Sequence, residues 1–320
     1  MSGPPGRGYR RRVAASIAFA LQVPEADLEE IAARAEAAGF AAIAVADHPG
    51  TTWSPFVALA SAAGSTDNLL LGTAVVNCGV RDPLDIASDT ATLQSLSGGR
   101  VVLGLGAGHT PAEWSQVGRQ RPSPSGRIDR FDEVVRSTLA LLRGETVTLD
   151  GRYIGLHEAR LHIDLPALPQ LLFGGGNQRL LRLGCELADI VELGGIGRTL
   201  PDGHYHEPRW TAAHVEAALG VFDQGCAAAN RRPILGALVQ HVEITDDAER
   251  SARRYLDAAS TVIPDELLPT IGDLLECPYV LIGTADEIVT KLRRLRNRWG
   301  FTRYTVRSLD PLVEVIAAVS

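Results

Sequence analysis

Gly98-Gly99 turns the chain into Arg100-Val101-Val102-Leu103-Gly104-Leu105, which runs on through Gly106-Ala107-Gly108-His109 to Thr110-Pro111-Ala112-Glu113. The Val- and Leu-rich run fits a buried strand. The glycines behind it free the backbone from Cβ interference. Thr110 with Glu113 three residues on, and proline at the first helical position, has the form of a capping box that opens a helix. A strand, a glycine-rich corner at its C-terminal end and a helix make one β/α unit.

Working outward, the chain repeats that unit. Upstream, residues 13–19 read as the first strand, and Leu28, Ile31, Ala32, Ala35 and Ala38 follow at helical spacing with Gly39 as the stop. Residues 41–46 form a second strand ending at Asp47-His48, and residues 69–76 a third ending at Asn77, with helices over 53–63 and 84–96. Downstream, a long helix covers 127–142, and residues 144–165 break the alternation as a hairpin insertion around Asp150-Gly151. Strands at 170–173 and 189–193 flank a helix over 178–186. A loop rich in Gly, His and Pro (194–207) precedes a helix to residue 229, and 234–244 reads as the seventh strand. A helical region broken by prolines at 264–278 leads to a second capping box, Thr284-Ala285-Asp286-Glu287. Its helix stops at Gly300 before the eighth strand, 301–306. Eight such units predict a closed (β/α)8 TIM barrel with insertions, spanning 13–320 as one domain behind a flexible polar leader, 1–12.

Composition sets limits on function. The 320 residues are 45% hydrophobic and carry a net charge of −7, so no basic surface invites nucleic acid. Arg10-Arg11-Arg12 and the apolar run behind it imitate a secretory signal, but cleavage there would remove the first strand. No apolar run of membrane-spanning length occurs elsewhere. Cys78, Cys185, Cys226 and Cys277 lie far apart, form no CxxC pair and read as isolated, buried, reduced thiols of a cytoplasmic protein.

In an α/β barrel, chemistry sits where the strands end. Gly104, Gly106 and Gly108 let backbone approach a flat ligand, although tight strand–helix packing explains such glycines equally well. Gly174-Gly175-Gly176-Asn177 ahead of a helix offers free N–H groups and a helix dipole to a phosphate, without the lysine of a P-loop. His48 and His109, at neighbouring strand ends, have the ordinary pKa for moving protons near neutrality. Asp47 orients His48 or accepts from a ligand. Trp53, His204 and His206 lie on loops over the mouth and are candidate substrate contacts.

The segments Ala38-Gly39-Phe40, Val45-Ala46-Asp47-His48, Leu71-Gly72-Thr73-Ala74-Val75, Leu96-Ser97-Gly98-Gly99-Arg100 and Leu103-Gly104-Leu105-Gly106-Ala107-Gly108 together resemble the luciferase-like monooxygenase superfamily. Within it, the order and spacing are similar to those of deazaflavin (coenzyme F420)-dependent oxidoreductases. The resemblance implies a bacterial-luciferase-like barrel, active as a homodimer, whose mouth holds a tricyclic ring. It implies a non-prolyl cis bond at Ala74–Val75 supporting one face of that ring. Asp47, Asn77, Gly106, Ala107, Gly108, His109 and the loop Gly174 to Asn177 would contact ring, ribityl chain or phosphate. Similar sugar-phosphate dehydrogenases use the histidine after the strand-2 aspartate in acid–base work, with a glutamate acid where this chain has His109. That departure, and the single lysine, Lys291, speak against a sugar phosphate.

The expected reaction is therefore hydride transfer between F420 and a small organic substrate, with His48 or His109 moving the proton. Reduced FMN in a monooxygenase of the same fold is the alternative cofactor. Arg179 and Arg198 are suited to the acidic tail that F420 has and FMN lacks. A metal-dependent hydrolase using His48, His109 and His204 or His206 is a reading of another class, but the first strand offers no HxH and no metal site is expected.

Overall fold

The computed structural model describes residues 16–23, 27–165, 167–200 and 205–319. The expected leader, 1–12, and residues 13–15 of the expected first strand lie outside the described residues.

Eight parallel strands close on themselves: β1 (Ala18–Gln22), β2 (Ala42–Val45), β3 (Leu70–Thr73), β4 (Val101–Gly106), β5 (Gln170–Gly174), β6 (Ile190–Leu193), β7 (Ile234–Leu238) and β8 (Phe301–Val306). Neighbours pair in chain order, β1 pairs with β8, and β3 pairs with β4 through Leu71↔Val101 and Gly72↔Val102. β1 reaches further than residue 19, because Ala18 to Leu21 pair with Arg303 to Val306 while Ala20 to Gln22 pair with Ala42 to Ala44.

Alternation along each strand separates two cores. From β4, Leu103 and Leu105 join the outer core between sheet and helices, with Phe131, Phe173 and Leu141. Each such fully buried side chain contributes about 2 kcal/mol of apolar burial. Val102 faces inward with Leu172 and Ile190. A buried ion pair, Arg303 Nη1 to Glu192 Oε2 at 2.7 Å, fills the lumen beside Thr305. Gly104 is required by contact: a Cβ there would lie 2.0 Å from the Thr73 carbonyl oxygen.

Helices cover the outside: α1 (Leu28–Ala37), α2 (Pro55–Ala63), α3 (Pro83–Leu96), α4 (Pro111–Gln116), α5 (Pro124–Leu142), α6 (Gln178–Leu187) and α7 (Ala212–Ala229). α1 ends at a left-handed Gly39 (φ +84°). The helix Ala285–Trp299 opens with the expected Thr284/Glu287 capping box and stops at Gly300 (φ +83°), which delivers the chain into β8. Among the described residues no helix is long and apolar enough to cross a membrane.

Three expectations need correction. The run 234–244 is two strands, because the chain leaves the barrel after Leu238. His241–Ile244 then pairs in parallel with Val280–Gly283, a strand hidden behind the prolines. The segment 194–207 is not simply a loop, since Ile196–Thr199 pairs antiparallel with His206–Pro208. The cysteines are free and buried, but Cys185 and Cys226 are not isolated: α6 against α7 brings their sulfurs to 3.5 Å. Between α5 and β5, Val147–Asp150 and Gly155–Ala159 form an antiparallel ribbon.

Candidate active site at the barrel mouth

The C-terminal ends of β2 and β3 are tied together by one carboxylate. Asp47, 3% exposed, accepts from Arg81 Nε (2.7 Å) and Nη2 (2.8 Å) and from the Asn77 N–H (3.0 Å). Three of the bonds that Asp47 can accept are thus taken by protein. Between these anchors the Ala74–Val75 bond is cis, as the resemblance implied, and Val76–Asn77 resumes pairing beside β4. Arg130, almost fully buried, holds the following turn by donating to the carbonyls of Cys78, Gly79 and Arg81 and to Asp82.

His48 projects from the same corner. Its Nδ1 lies 2.7 Å from Glu113 Oε1, and the other Glu113 oxygen accepts from the Asn77 side-chain amide. Glu113 was expected to cap α4, yet the Thr110 side chain makes no cap bond. A helical side chain leans toward its own N-terminus, and here that direction leads to an imidazole and an amide that satisfy a buried carboxylate. Asn77 is turned into the same joint: its Nδ2 serves Glu113 and its Oδ1 accepts from the Gly79 N–H at 2.9 Å.

The two candidate proton carriers are driven apart. The hydrogen bond that His48 donates to Glu113 raises the pKa of His48 above its usual value, against a partial opposing effect of burial. His109 is exposed at the mouth, and its ring packs edge-on against those of His48 and His206. Burial, with His206 and His48 beside it, pushes His109 down to about 4. The His48 and His109 rings are 6.1 Å apart, and His206 stands 4.8 Å from His109. Near neutrality His109 is uncharged, while His48 has its cationic form favoured, with Nδ1–H held by Glu113 and Nε2 free to face a reactant.

A flat, phosphorylated ring fits the adjoining wall. Gly106, Ala107 and Gly108 pass directly over the Val75 bulge, where a Cβ on Gly106 would lie 2.4 Å from Val75 Cγ2 and one on Gly108 2.2 Å from Asn77 Oδ1. At the start of α6, Asn177 Oδ1 accepts from the Arg179 N–H. The N–H groups of Gly176, Asn177 and Gln178 find no acceptor among the described residues. Gly175 stands at φ +145°, which opens that turn. On the same flank Arg121 Nε and Arg127 Nη1 are buried without a partner, and no carboxylate pairs with either among the described residues. The two arginines expected for an acidic tail are occupied instead: Arg179 pairs with Asp129 at 2.6 Å and Arg198 with Glu207 at 3.4 Å.

Of the candidate substrate contacts, Trp53 is half exposed at the rim and lines an apolar cavity of about 360 Å³ with Val23, Val45 and Thr52. His206 is brought to the mouth by its ribbon, and His204 lies outside the described residues. No three His, Cys, Asp or Glu side chains among the described residues are arranged to hold a metal ion.

Glu113, Arg121 and Arg127 had not been singled out as site residues. The signal available for Glu113 was its place one helical turn beyond His109.

The profile of the family described as luciferase-like monooxygenase matches residues 18–303. An F420-dependent glucose-6-phosphate dehydrogenase of Beutenbergia cavernae is 36% identical over 292 residues, covering 88% of this chain and 81% of that protein. A 4-hydroxyprotoasukamycin monooxygenase of Streptomyces nodosus subsp. asukaensis is 32% identical over 290 residues, covering 85% and 77%. Among solved structures, an F420-dependent secondary alcohol dehydrogenase in complex with an F420–acetone adduct superposes with a TM-score of 0.75 at 20% identity, over 95% of this chain and 99% of that one. The barrel, its cis bond and its glycine-lined mouth are thus joined by a match across almost the whole described chain, and the protein belongs to the luciferase-like monooxygenase family.

Proposed function

We propose that this chain is an F420-dependent oxidoreductase that oxidises or reduces a small organic substrate. The observation that carries the reading is the His48–Glu113 pair, set beside a glycine floor and a free helix N-terminus. Bound there, the deazaflavin would accept or supply a hydride, and a proton must move with it at the substrate oxygen. Gly106 to Gly108 and the Val75 bulge would hold the ring, and the N–H groups of Gly176, Asn177 and Gln178 the phosphate. Arg127 and Arg121 would take the remaining acidic groups. His48 Nε2–H donates the proton in the reducing direction and takes it back in the other, while Glu113 fixes the tautomer and stabilises the cation. Neutral His109 is an acceptor that orients the substrate hydroxyl.

The relative from Beutenbergia cavernae is a glucose-6-phosphate dehydrogenase, but with a histidine at 109 and its lysine, Lys291, buried, this mouth offers neither a carboxylic acid at that position nor a lysine for a sugar phosphate. The monooxygenase relative favours a second reading, with reduced FMN in the same cradle. FMN has no acidic tail and leaves Arg121 and Arg127 without a counterpart.

Titration of the purified protein with F420 and, separately, FMN separates the two by fluorescence quenching. Saturable binding of F420 alone is expected; saturable binding of FMN alone overturns the cofactor assignment. In the loaded enzyme, His48→Asn should lower kcat about 10²- to 10⁴-fold with little change in F420 affinity, as for loss of a general acid. An unchanged kcat removes His48 from the reaction.

A further inference from the structure

Arg307 follows β8 directly and enters the mouth with an unusual set of partners. Its Nε donates to Gln22 Oε1 at 2.9 Å and its Nη1 to Gln240 Oε1 at 3.2 Å. Both glutamines are fixed from behind, since Gln22 Nε2 donates to the Ala74 carbonyl (3.1 Å) and Gln240 Nε2 to the Gly194 carbonyl (3.3 Å). The guanidinium is therefore held in place by neutral acceptors and keeps its charge. Among the described residues no carboxylate pairs with it and Nη2 makes no hydrogen bond.

Structural arginines of this protein behave differently. Arg130 spends its donors on four carbonyls and a carboxylate, and Arg100 spends its own on three carbonyls and the Thr66 hydroxyl. The charged and titratable groups acting on Arg307 are Glu192 and Tyr255. Glu192 is already bound to Arg303 and Thr305 deeper in the lumen, and Tyr255 is kept neutral by burial. The residue is nevertheless open to solvent at the mouth.

We infer that Arg307 is the specificity-determining residue for a substrate that carries a carboxylate. Two edges of a guanidinium can grip a carboxylate with paired N–H groups. Here Gln22 takes the Nε N–H and Gln240 one N–H of Nη1, which leaves both N–H groups of Nη2 and the second of Nη1 for a carboxylate. Position agrees with that role. Gln22 connects Arg307 to Ala74, on the cis bond under the ring floor, and β8 is separated from the His48-bearing strand only by β1. A substrate anchored by its carboxylate at Arg307 would have its reacting carbon between the ring and His48 Nε2. The unpaired cations Arg121 and Arg127 stand on the other flank, where the cofactor's own acidic groups would lie. This inference rests on the oxidoreductase reading for the placement of the reacting carbon, but not for the anion site itself.

The test is calorimetric binding of three probes, benzoate, benzyl alcohol and phenyl phosphate, to the protein with and without F420. Wild type should bind benzoate more tightly than the neutral alcohol, with an affinity that falls as salt rises. Arg307→Gln should lose roughly 10- to 100-fold in benzoate affinity and leave benzyl alcohol and F420 binding unchanged, the size expected for a charge-assisted hydrogen bond. Arg307→Lys, which keeps the charge but not the fork, should recover part of the loss, and this guards against a folding defect. Equal benzoate affinity in wild type and Arg307→Gln overturns the inference. So does a loss confined to F420, which would assign Arg307 to the cofactor, and so does tighter binding of phenyl phosphate than benzoate. Absence of F420 binding with the benzoate preference intact would instead sink the cofactor reading and leave Arg307 in place.

Discussion

Around β2 and β3 the charged side chains of the mouth are spent on one another: Asp47 on Arg81, His48 on Glu113, and Asp82 on Arg119 and Arg130. Across the mouth, Arg307 leans on two glutamines, and beside β4 and β5 Arg121 and Arg127 meet no carboxylate among the described residues. The first flank uses charge to fix geometry. Its pairs are short and mostly shielded, so each partner determines where the other stands. The second keeps charge available, because a guanidinium satisfied by neutral amides, or not satisfied at all, retains its field for a ligand. An active site needs both, since a ligand's charge can be recognised only by a cation that the protein has not already neutralised.

Breaking the closed flank should have the largest effect. Arg81→Met leaves Asp47 buried and charged with only the Asn77 N–H, and loss of one member of a buried pair costs about 3–5 kcal/mol. Denaturant unfolding should show that drop, together with weakened ring binding as the loop after β3 loosens. A change under about 1 kcal/mol would mean that Asp47 is not held by charge and would undo the contrast between the two flanks.

Glu113→Gln probes the same flank more gently, since the amide still fills the space. The hydrogen bond that Glu113 accepts from His48 is the main cause of the raised His48 pKa, so the variant's His48 should titrate at lower pH. The sign follows: a protonated donor is present below its pKa and lost as pH rises through it. In the reducing direction, the alkaline fall in kcat should therefore move to lower pH, and in the oxidising direction the acid limb should move the same way. At neutral pH the reducing rate should fall about tenfold, the size of one hydrogen bond to a charged group. Coincident pH profiles for wild type and variant would show that Glu113 does not govern His48.

Much of this arrangement was legible in the residues. The alternation of apolar runs and glycine corners gives the eight barrel strands, and strand ends give His48, His109 and the Gly174 to Asn177 loop. What escaped depends on contacts between distant segments. Glu113 has the three-residue spacing of a capping box, and only the position of His48 and Asn77 in space draws it away from Thr110. Arg307 is one arginine among many until β1 and β7 set Gln22 and Gln240 beside it. In the run 234–244 the apolar stretch ends at Val239, but Gln240, His241 and Glu243 alternate with apolar residues as in a half-buried strand, so nothing local marks that the chain leaves the barrel there. Arg179 and Arg198 were expected to be open to an acidic tail, but carboxylates from other elements, Asp129 and Glu207, pair with them.

Arg179 and Arg127 allow the finest test of the contrast. Arg179 is about half exposed and already paired with Asp129, whereas Arg127 sits half-buried with a donor that has no acceptor. If pairing decides which cations serve the ligand, Arg127→Gln should weaken F420 binding about tenfold and reduce its salt dependence, as expected for the loss of one charge-assisted contact. Arg179→Gln should change the affinity less than about twofold, because an exposed pair is worth little and its cation is already neutralised. Fluorescence titrations of both variants at low and high salt measure this directly. Equal losses would mean that the ion pair with Asp129 opens when the cofactor arrives, and proximity to the mouth, not the absence of a carboxylate, would then identify the cations that bind it.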